Sequence, residues 1–269
     1  LPLFIILSNP NSTAYLFTPL IGGIFICSFF RLPLKLYFSA FLWASAISLI
    51  IANWNISISG EPYITNYLGE GADDRKYEMG AIDTSLYFTT PYSYFLSFLA
   101  KPFSFGQLTL YNFLSINCVF HAIASTAIFK IIRILDFGKK AEIFGYYSYL
   151  FFPILLIDGL TLMRDGLIAA FATLLFYSLV SSNNLISFQS IISIFTLTYL
   201  RIGSGIAIII SFFISYIICK KDFVLTKRFF VVISFFSVTI AFFGKDIIDY
   251  SISKQIFDNL FFRSSWAEY

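Results

Sequence analysis

The chain has 269 residues, of which 58% are hydrophobic, 20% are aromatic and 12% are charged, and its mean hydropathy is +0.80. Soluble domains contain about 45–50% apolar and about 25% charged residues, so this composition excludes an ordinary soluble domain. The net charge of +3 gives no reason to expect a nucleic-acid partner. We therefore expect a polytopic membrane protein embedded in the lipid bilayer.

The apolar segments predict the architecture. A membrane-spanning helix needs about 20 apolar residues, and the chain has room for about eight spans with their connections. We predict an all-α, polytopic helix bundle that forms one integral membrane domain over residues 1–269. The chain starts at Leu1 without a methionine, so we expect it to be a fragment of a longer chain. The predicted spans are approximately 14–30, 36–51, 108–135, 144–160, 167–180, 188–200, 202–218 and 229–243.

The cysteines and the histidine lie inside these apolar segments. Cys27, Cys118 and Cys219 occur singly, without the paired spacing of a zinc site or a disulfide framework, and we interpret them as small buried residues. His121, the only histidine, lies near the middle of the third predicted span. It is either a functional group or one half of a hydrogen bond between helices, and we favour the hydrogen bond.

Residues 53–107 form the longest predicted non-spanning region, with six acidic and three basic residues. Residues 73–83 within it predict a short helix that carries Asp74, Tyr77 and Glu78 along one side, because residues three or four apart share a helix face. Residues 91–102 are too short to span a membrane and are rich in Tyr and Phe. They predict a second short helix that lies in the membrane interface.

The distribution of charge predicts which loops are cytoplasmic. If the loop at Arg31 and Lys35 is cytoplasmic and each segment crosses once, the cytoplasmic side holds ten basic and three acidic residues. The opposite side holds eight basic and twelve acidic residues. The positive-inside rule thus places residues 53–107 outside the cytoplasm.

The same topology brings charged residues from separate parts of the chain to the outer face. Asp158 is unusual among them because it lies within an apolar helix end, where an unpaired carboxylate is costly. Arg164 and Arg201 are its candidate partners. The residues concerned are Asp73, Asp74, Asp158, Arg164, Asp165 and Arg201.

Carboxylates beside arginines suit the transfer of a sugar from a lipid phosphate or pyrophosphate to an acceptor hydroxyl. An aspartate can accept the proton of the attacking hydroxyl, and arginine can bind the phosphate and stabilise it as it leaves. The candidate catalytic residues are Asp73, Asp74 and Asp158; the candidate phosphate-binding residues are Arg75, Arg164 and Arg201; and Asp165, Tyr77 and Glu78 are expected to support them. No cofactor is required by this scheme, no metal ligands are assigned, and a divalent metal is left open.

Two stretches of the chain carry a resemblance. Residues 71–77, Gly-Ala-Asp-Asp-Arg-Lys-Tyr, lie in a long outer loop and resemble the loop of the C-type (GT-C) polyprenyl-phosphate-sugar-dependent membrane glycosyltransferases. Residues 152–170, from Phe-Pro to Met-Arg-Asp-Gly-Leu-Ile-Ala-Ala, resemble a pattern that those enzymes share with bacterial O-antigen and exopolysaccharide polymerases. The resemblance implies that Asp73 or Asp74 is the loop carboxylate, acting as base or assisting a metal, and that Arg164 contacts phosphate.

One departure from the C-type pattern bears on whether the chain is a glycosyltransferase of that type or a polymerase. Two predicted spans precede the acidic loop, whereas that loop follows the first span in typical C-type enzymes, and this favours the polymerase. The expected function is a glycosyltransferase or glycan polymerase in the bacterial inner membrane, with a polyprenyl-linked sugar donor and a glycan acceptor. The alternatives are a transporter or flippase of lipid-linked glycans, and a non-catalytic membrane protein. Transporters commonly place their site near the midplane between related repeats, and the chain shows no such repeat.

Overall fold

The fold is described from a computed structural model, which covers residues 1–8, 14–16, 22–60, 62–63, 73–86, 89–104, 108–153, 160–181, 187–200 and 210. The chain divides into two compact units, Leu1–Leu200 and Arg201–Tyr269. All the helices described below belong to the first unit. The single integral membrane domain expected over residues 1–269 stays a prediction.

The described residues are largely helical and contain no strand, which confirms the all-α class. A 3-10 turn, Lys101–Phe103, follows the fifth helix. The α-helices are α1 (Pro2–Leu7), α2 (Ile24–Phe29), α3 (Leu34–Ser59), α4 (Asp73–Ile82), α5 (Pro91–Ala100), α6 (Leu110–Ile134), α7 (Lys139–Phe151), α8 (Arg164–Ser181) and α9 (Phe188–Leu200).

Helix α6 is the centre of the first unit, and it contacts α3, α5, α7 and α8. Its start is defined by a capping interaction, in which the Thr109 backbone N–H donates to Asn112 Oδ1 at 3.0 Å. From Leu110 to Ala127 every residue of α6 except Tyr111 is buried. The other helices therefore pack around α6, and its buried polar side chains hydrogen-bond either to its own carbonyl oxygens, as Ser125 does, or to neighbouring elements, as Asn117 does.

Three of the described helices are long and apolar enough to cross a membrane: α3 with 26 residues, α6 with 25 and α8 with 18. At about 1.5 Å per residue, each covers roughly 27 Å or more, close to the ~30 Å hydrocarbon core of a bilayer. They correspond to the second, third and fifth predicted spans. The chain is therefore an all-helical protein with three candidate membrane-spanning helices.

The prediction of about eight spans is not supported. The fourth predicted span begins earlier, as α7, and ends at Phe151 ahead of Pro153 after 13 residues. The sixth coincides with α9, Phe188–Leu200, which is also only 13 residues long. In the first predicted span the described residues form the six-residue helix α2 and a helical turn at 14–16. The seventh and eighth predicted spans lie outside the described residues, apart from Ile210.

The long loop predicted over residues 53–107 is not supported, because α3 extends into it and the helices α4 and α5 occupy much of the rest. Helix α3 continues to Ser59 and ends at Gly60, whose φ of 76° is a left-handed conformation that favours glycine. Trp54 therefore lies within the helix, where it is 65% exposed. Helix α4, Asp73–Ile82, confirms the predicted short helix.

Helix α5, Pro91–Ala100, confirms the second short helix expected in this region. It buries Tyr92, Leu96 and Ala100. The Phe95 ring lies 6.1 Å from the ring of Phe120 in α6, and Phe120 is about 15 Å along α6 from Leu110 at 1.5 Å per residue. Helix α5 thus contacts α6 near its middle, and its expected place in the membrane interface stays a prediction.

The interpretations of His121 and of two cysteines are confirmed. His121 is 2% exposed, and its Nε2 lies 3.2 Å from the carbonyl oxygen of Leu150, so it forms a hydrogen bond between α6 and α7. Cys27 and Cys118 are free and buried. Cys219 lies outside the described residues.

Candidate functional site

A small cavity lies where the C-terminal part of α3 meets the N-terminal end of α6. Its volume is about 10 Å³, roughly enough for one water molecule. Because Ala52 of α3 and Leu110 of α6 line the same cavity, these two helices run antiparallel, and the basic residues Lys35 and Arg133 lie at the other end of the bundle. The cavity is lined by Ser48, Ile51, Ala52, Pro62, Tyr63, Asp74, Leu110, Leu114, Leu160, Thr161 and Leu162.

Asp74 contributes the carboxylate of this cavity. It is the second residue of α4, it is only 2% exposed, and its Oδ1 accepts the backbone N–H of Arg75 at 3.0 Å. Most of the cavity wall is aliphatic, and a carboxylate in such surroundings is costly unless other groups compensate its charge. A buried carboxylate that opens onto a cavity is a strong candidate for a functional group.

Helix α4 turns Asp74, Tyr77 and Glu78 towards the protein. Tyr77 is buried and Glu78 is half-buried, whereas Arg75 and Lys76 on the other face are exposed. This arrangement confirms that the three residues share one side of the helix, as the spacing predicts. The Tyr77 ring packs edge-to-face on Tyr92 of α5, with ring centroids 5.0 Å apart.

Glu78 connects α4 to two other parts of the cavity wall. Its carboxylate accepts a short hydrogen bond from the Tyr63 hydroxyl and another from the backbone N–H of Leu110. Burial raises the pKa of Glu78, and the nearby charge of Asp74 raises it further, against the lowering effects of these two hydrogen bonds and of Arg75.

Residues 160–162 form the wall opposite α4 and are held by two polar side chains. The Ser48 hydroxyl donates to the carbonyl oxygen of Leu160 at 2.8 Å. Asn117 Nδ2 donates to the carbonyl oxygen of Thr161 at 2.5 Å, and it lies 3.0 Å from the Tyr92 hydroxyl oxygen. Asn117 therefore joins α5, α6 and this wall at one point.

Sequence reasoning did not assign Ser48, Tyr63, Tyr92, Asn117 or Thr161 to the site. Asn117 carried a usable signal, since a polar residue inside a spanning helix usually hydrogen-bonds to a neighbouring element. Serine and threonine are common in membrane helices, so the sequence carries no signal that Ser48 or Thr161 belongs to the site.

Arg164 and Asp165 begin α8 at the same end of the bundle, and both are half-buried. Burial is the main cause that raises the pKa of Tyr92, and the charges of Asp165 and Asp74 both add to it. The structure thus brings Asp74, Asp165 and Tyr92 into one electrostatic neighbourhood, as the predicted topology requires of the two aspartates.

Three predicted site positions fall outside the described residues: Asp158, Arg201 and the side chain of Asp73. Among the residues that the structure describes, no group of three or more His, Cys, Asp or Glu is arranged to hold a metal ion. The divalent metal that the sequence left open has no candidate ligand set in that part of the chain.

Comparison of the chain with protein-family models, curated proteins and solved structures finds no match. By its fold, the chain is an all-helical protein with three candidate membrane-spanning helices. At one end of these helices lies a cavity lined in part by the Asp74 carboxylate.

Proposed function

We propose that the chain is a membrane glycosyltransferase or glycan polymerase that uses polyprenyl-(pyro)phosphate-linked sugars at the extracytoplasmic face of a bacterial inner membrane. The observation that supports this proposal is the placement of Asp74, a nearly fully buried carboxylate that lines a cavity at the end of the bundle away from Lys35 and Arg133. A site of this kind accepts a hydroxyl group and holds it against a proton acceptor.

In the proposed reaction, the acceptor hydroxyl enters the cavity and hydrogen-bonds to Asp74. Its oxygen attacks the anomeric carbon of the lipid-linked sugar, and the bond from that carbon to the phosphate oxygen breaks. The electron pair of this bond leaves with the lipid (pyro)phosphate, and the proton passes to Asp74. Low water content in such a cavity strengthens the interaction between the carboxylate and the hydroxyl.

Two arginines suit the leaving group. Arg164 is the first residue of α8, and Arg75 lies on the exposed face of α4 beside Asp74. Guanidinium groups bind phosphate oxygens bidentately and keep their charge throughout the reaction. Asp73, Asp158 and Arg201 keep their proposed roles from the sequence.

One observation favours the alternative, a transporter or flippase of lipid-linked glycans. Helix α5 packs alongside the middle of α6, and its Tyr92 hydrogen-bonds there with the buried Asn117. Short helices that contribute polar groups within a bundle are a feature of transporter sites. If the chain is a transporter, these buried polar groups contact the glycan head group of the lipid as it passes through the protein.

The experiment that separates these functions measures glycans in a strain that lacks the gene and is complemented with variants. Lipid-linked and polymerised polysaccharide are extracted and resolved on a gel. Asp74→Asn, which is isosteric but a far weaker base, should abolish the product at normal protein level. Asp83→Asn is the matched control, because Asp83 lies just beyond α4, is exposed and bonds only locally to Ser85.

The pattern of accumulation then identifies the step. Single complete repeat units outside the membrane would indicate a polymerase, and a repeat lacking one sugar would indicate a monosaccharide transferase. Complete lipid-linked units confined to the cytoplasmic face would indicate the transporter. A normal glycan profile with Asp74→Asn would refute the catalytic role of Asp74.

A further inference from the structure

Helices α6 and α7 form an antiparallel hairpin whose base is tightly packed. A Cβ added at Gly145 of α7 would overlap the Ile132 side chain of α6, so the two helices are in close contact there. The Tyr146 hydroxyl donates to the Leu36 carbonyl oxygen at 2.9 Å, which fastens the hairpin to the start of α3. The base is therefore held against the rest of the bundle.

The turn of this hairpin has a defined backbone. The Phe137 N–H donates to the Ile132 carbonyl oxygen at 3.4 Å. The Asp136 N–H donates to the Arg133 carbonyl oxygen at 3.2 Å, and the two bonds together are the Schellman pattern that ends an α-helix. Asp136 and Gly138 have left-handed φ angles of 57° and 88°. These contacts determine where the Phe137 backbone lies.

The tip of the hairpin, residues 133–140, is exposed at every position, although it contains large apolar side chains. Ile134 is 44% exposed, Leu135 is 42% exposed and Phe137 is 68% exposed. In a Schellman motif, an apolar residue at the position of Phe137 commonly packs back on the helix. Most of the Phe137 side chain is instead open to the surroundings, so the motif does not account for it.

Three cations, Arg133, Lys139 and Lys140, lie beside these apolar side chains in the tip. Lys139 and Lys140 are the first two residues of α7, where the helix dipole disfavours positive charge, so helix stability does not account for them. Within the part of the chain that the structure describes, neither Asp136 nor Glu142 forms an ion pair with these cations. Their charge is therefore available to a partner outside the hairpin.

The location of the tip indicates which partner this is. The tip directly follows α6, one of the helices long and apolar enough to cross a membrane, and the end of a spanning helix lies at the bilayer surface. Arg31 and Lys35 are exposed at the same end of the bundle and add to its positive charge. The charge distribution predicts that this end faces the cytoplasm, and the cytoplasmic leaflet has a negative surface potential.

We propose that the hairpin tip docks into the head-group layer of a bilayer that contains anionic phospholipid. Phe137 lies at the boundary with the acyl chains, where amphipathic and aromatic segments insert. Arg133, Lys139 and Lys140 lie against the negatively charged head groups, and each strengthens binding about fivefold. The tip is at the opposite end of the bundle from Asp74, so this inference goes beyond the proposed function and does not depend on it.

The test places a fluorescent reporter at the tip, as Phe137→Trp, in the full-length chain. The native tryptophans Trp43, Trp54 and Trp266 are replaced by phenylalanine. The protein is reconstituted in nanodiscs of phosphatidylcholine alone or mixed equally with phosphatidylglycerol. Both kinds of disc contain the same fraction of phosphatidylcholine with brominated acyl chains, which quench a tryptophan that reaches them. We expect strong quenching and blue-shifted emission with phosphatidylglycerol, and weaker quenching without it.

Removing lysine charge from the tip should weaken its insertion. Lys140→Gln should lower the insertion equilibrium constant in phosphatidylglycerol discs about fivefold, and Lys139→Gln combined with it about 25-fold. Lys76→Gln is the matched control for Lys140→Gln, because it removes an exposed lysine of α4 at the other end of the bundle, and it should leave insertion unchanged. A reporter placed there as Met79→Trp, at a residue that is 45% exposed, should give the same emission in both kinds of disc.

The proposal is overturned if the brominated chains leave the reporter at position 137 unquenched in both kinds of disc, and the tip would then be open to an acidic protein partner instead. Equal quenching with and without phosphatidylglycerol would also overturn it, because the cations would then not select the lipid. A fivefold effect of Lys76→Gln would show a general response to net charge and would contradict a role specific to the tip.

Discussion

Replacing Asn117 with leucine tests the junction that holds α5, α6 and the 160–162 wall together. Asn117 is 2% exposed and hydrogen-bonds to the Thr161 carbonyl oxygen and to Tyr92, whose own exposures are 5% and 1%. Leucine has a similar volume, so the substitution removes both hydrogen bonds without opening a large cavity.

The expected loss of stability follows from what happens to the two partners. If each bond contributed only the ~0.6 kcal/mol typical between membrane helices, the loss would be about 1 kcal/mol. Both partners are buried, however, and each is left without this bond at a cost of about 1–3 kcal/mol. We therefore expect Asn117→Leu to lower the free energy of unfolding by about 2–6 kcal/mol.

The measurement is reversible unfolding of the purified chain in mixed detergent micelles. Ser125→Ala is the matched control, because Ser125 is equally buried in α6 but donates only to Ala122 of its own helix, and it should change stability by less than about 0.5 kcal/mol. Tyr92→Phe combined with Asn117→Leu should cost less than the sum of the two single changes. A loss below about 0.5 kcal/mol for Asn117→Leu would refute the importance of the junction.

Two further predictions concern α4 and α2. Burial raises the pKa of Glu78 above the ordinary 4.5, so its carboxyl group binds a proton more tightly in the folded chain than in the unfolded chain. The stabilisation that comes from this tighter proton binding is lost as pH rises through the folded pKa. The unfolding free energy of the native chain relative to Glu78→Gln should fall as pH rises from about 4.5, and a constant difference would contradict this. Gly23→Ala should lower stability by about 1–3 kcal/mol, since a Cβ at Gly23 overlaps the Tyr37 hydroxyl, whereas Gly22→Ala meets no atom within 4 Å. Equal melting temperatures for both alanine variants would refute the overlap.

Much of the local structure is predictable from the sequence. The apolar run at 108–135 predicts α6, Leu110–Ile134, within two residues at each end, and the spacing of Asp74, Tyr77 and Glu78 places them on one face of α4. These features depend on neighbours three or four residues apart, so no long-range information is needed.

The fourth predicted span is not matched by a helix of spanning length, because an apolar run does not reveal where its helix breaks. The fourth predicted span continues in sequence through Phe152 and Pro153, but α7 ends at Phe151. Proline lacks the N–H that the helix needs, and it restricts the residue before it to extended conformations. The aromatic α5 shows a similar ambiguity, since its composition suits both a membrane interface and a position among helices.

The sequence by itself determined the apolar character of the long helices, the all-helical class and the candidacy of Asp74, because each follows from composition and short-range periodicity. Only the tertiary structure decided the cavity. Ser48 and Leu160 are 112 residues apart, and Asn117 and Thr161 are 44 apart. The sequence can show that Asn117 needs a partner, but the identity of each partner depends on which buried carbonyl oxygen the packing of the helices brings within reach.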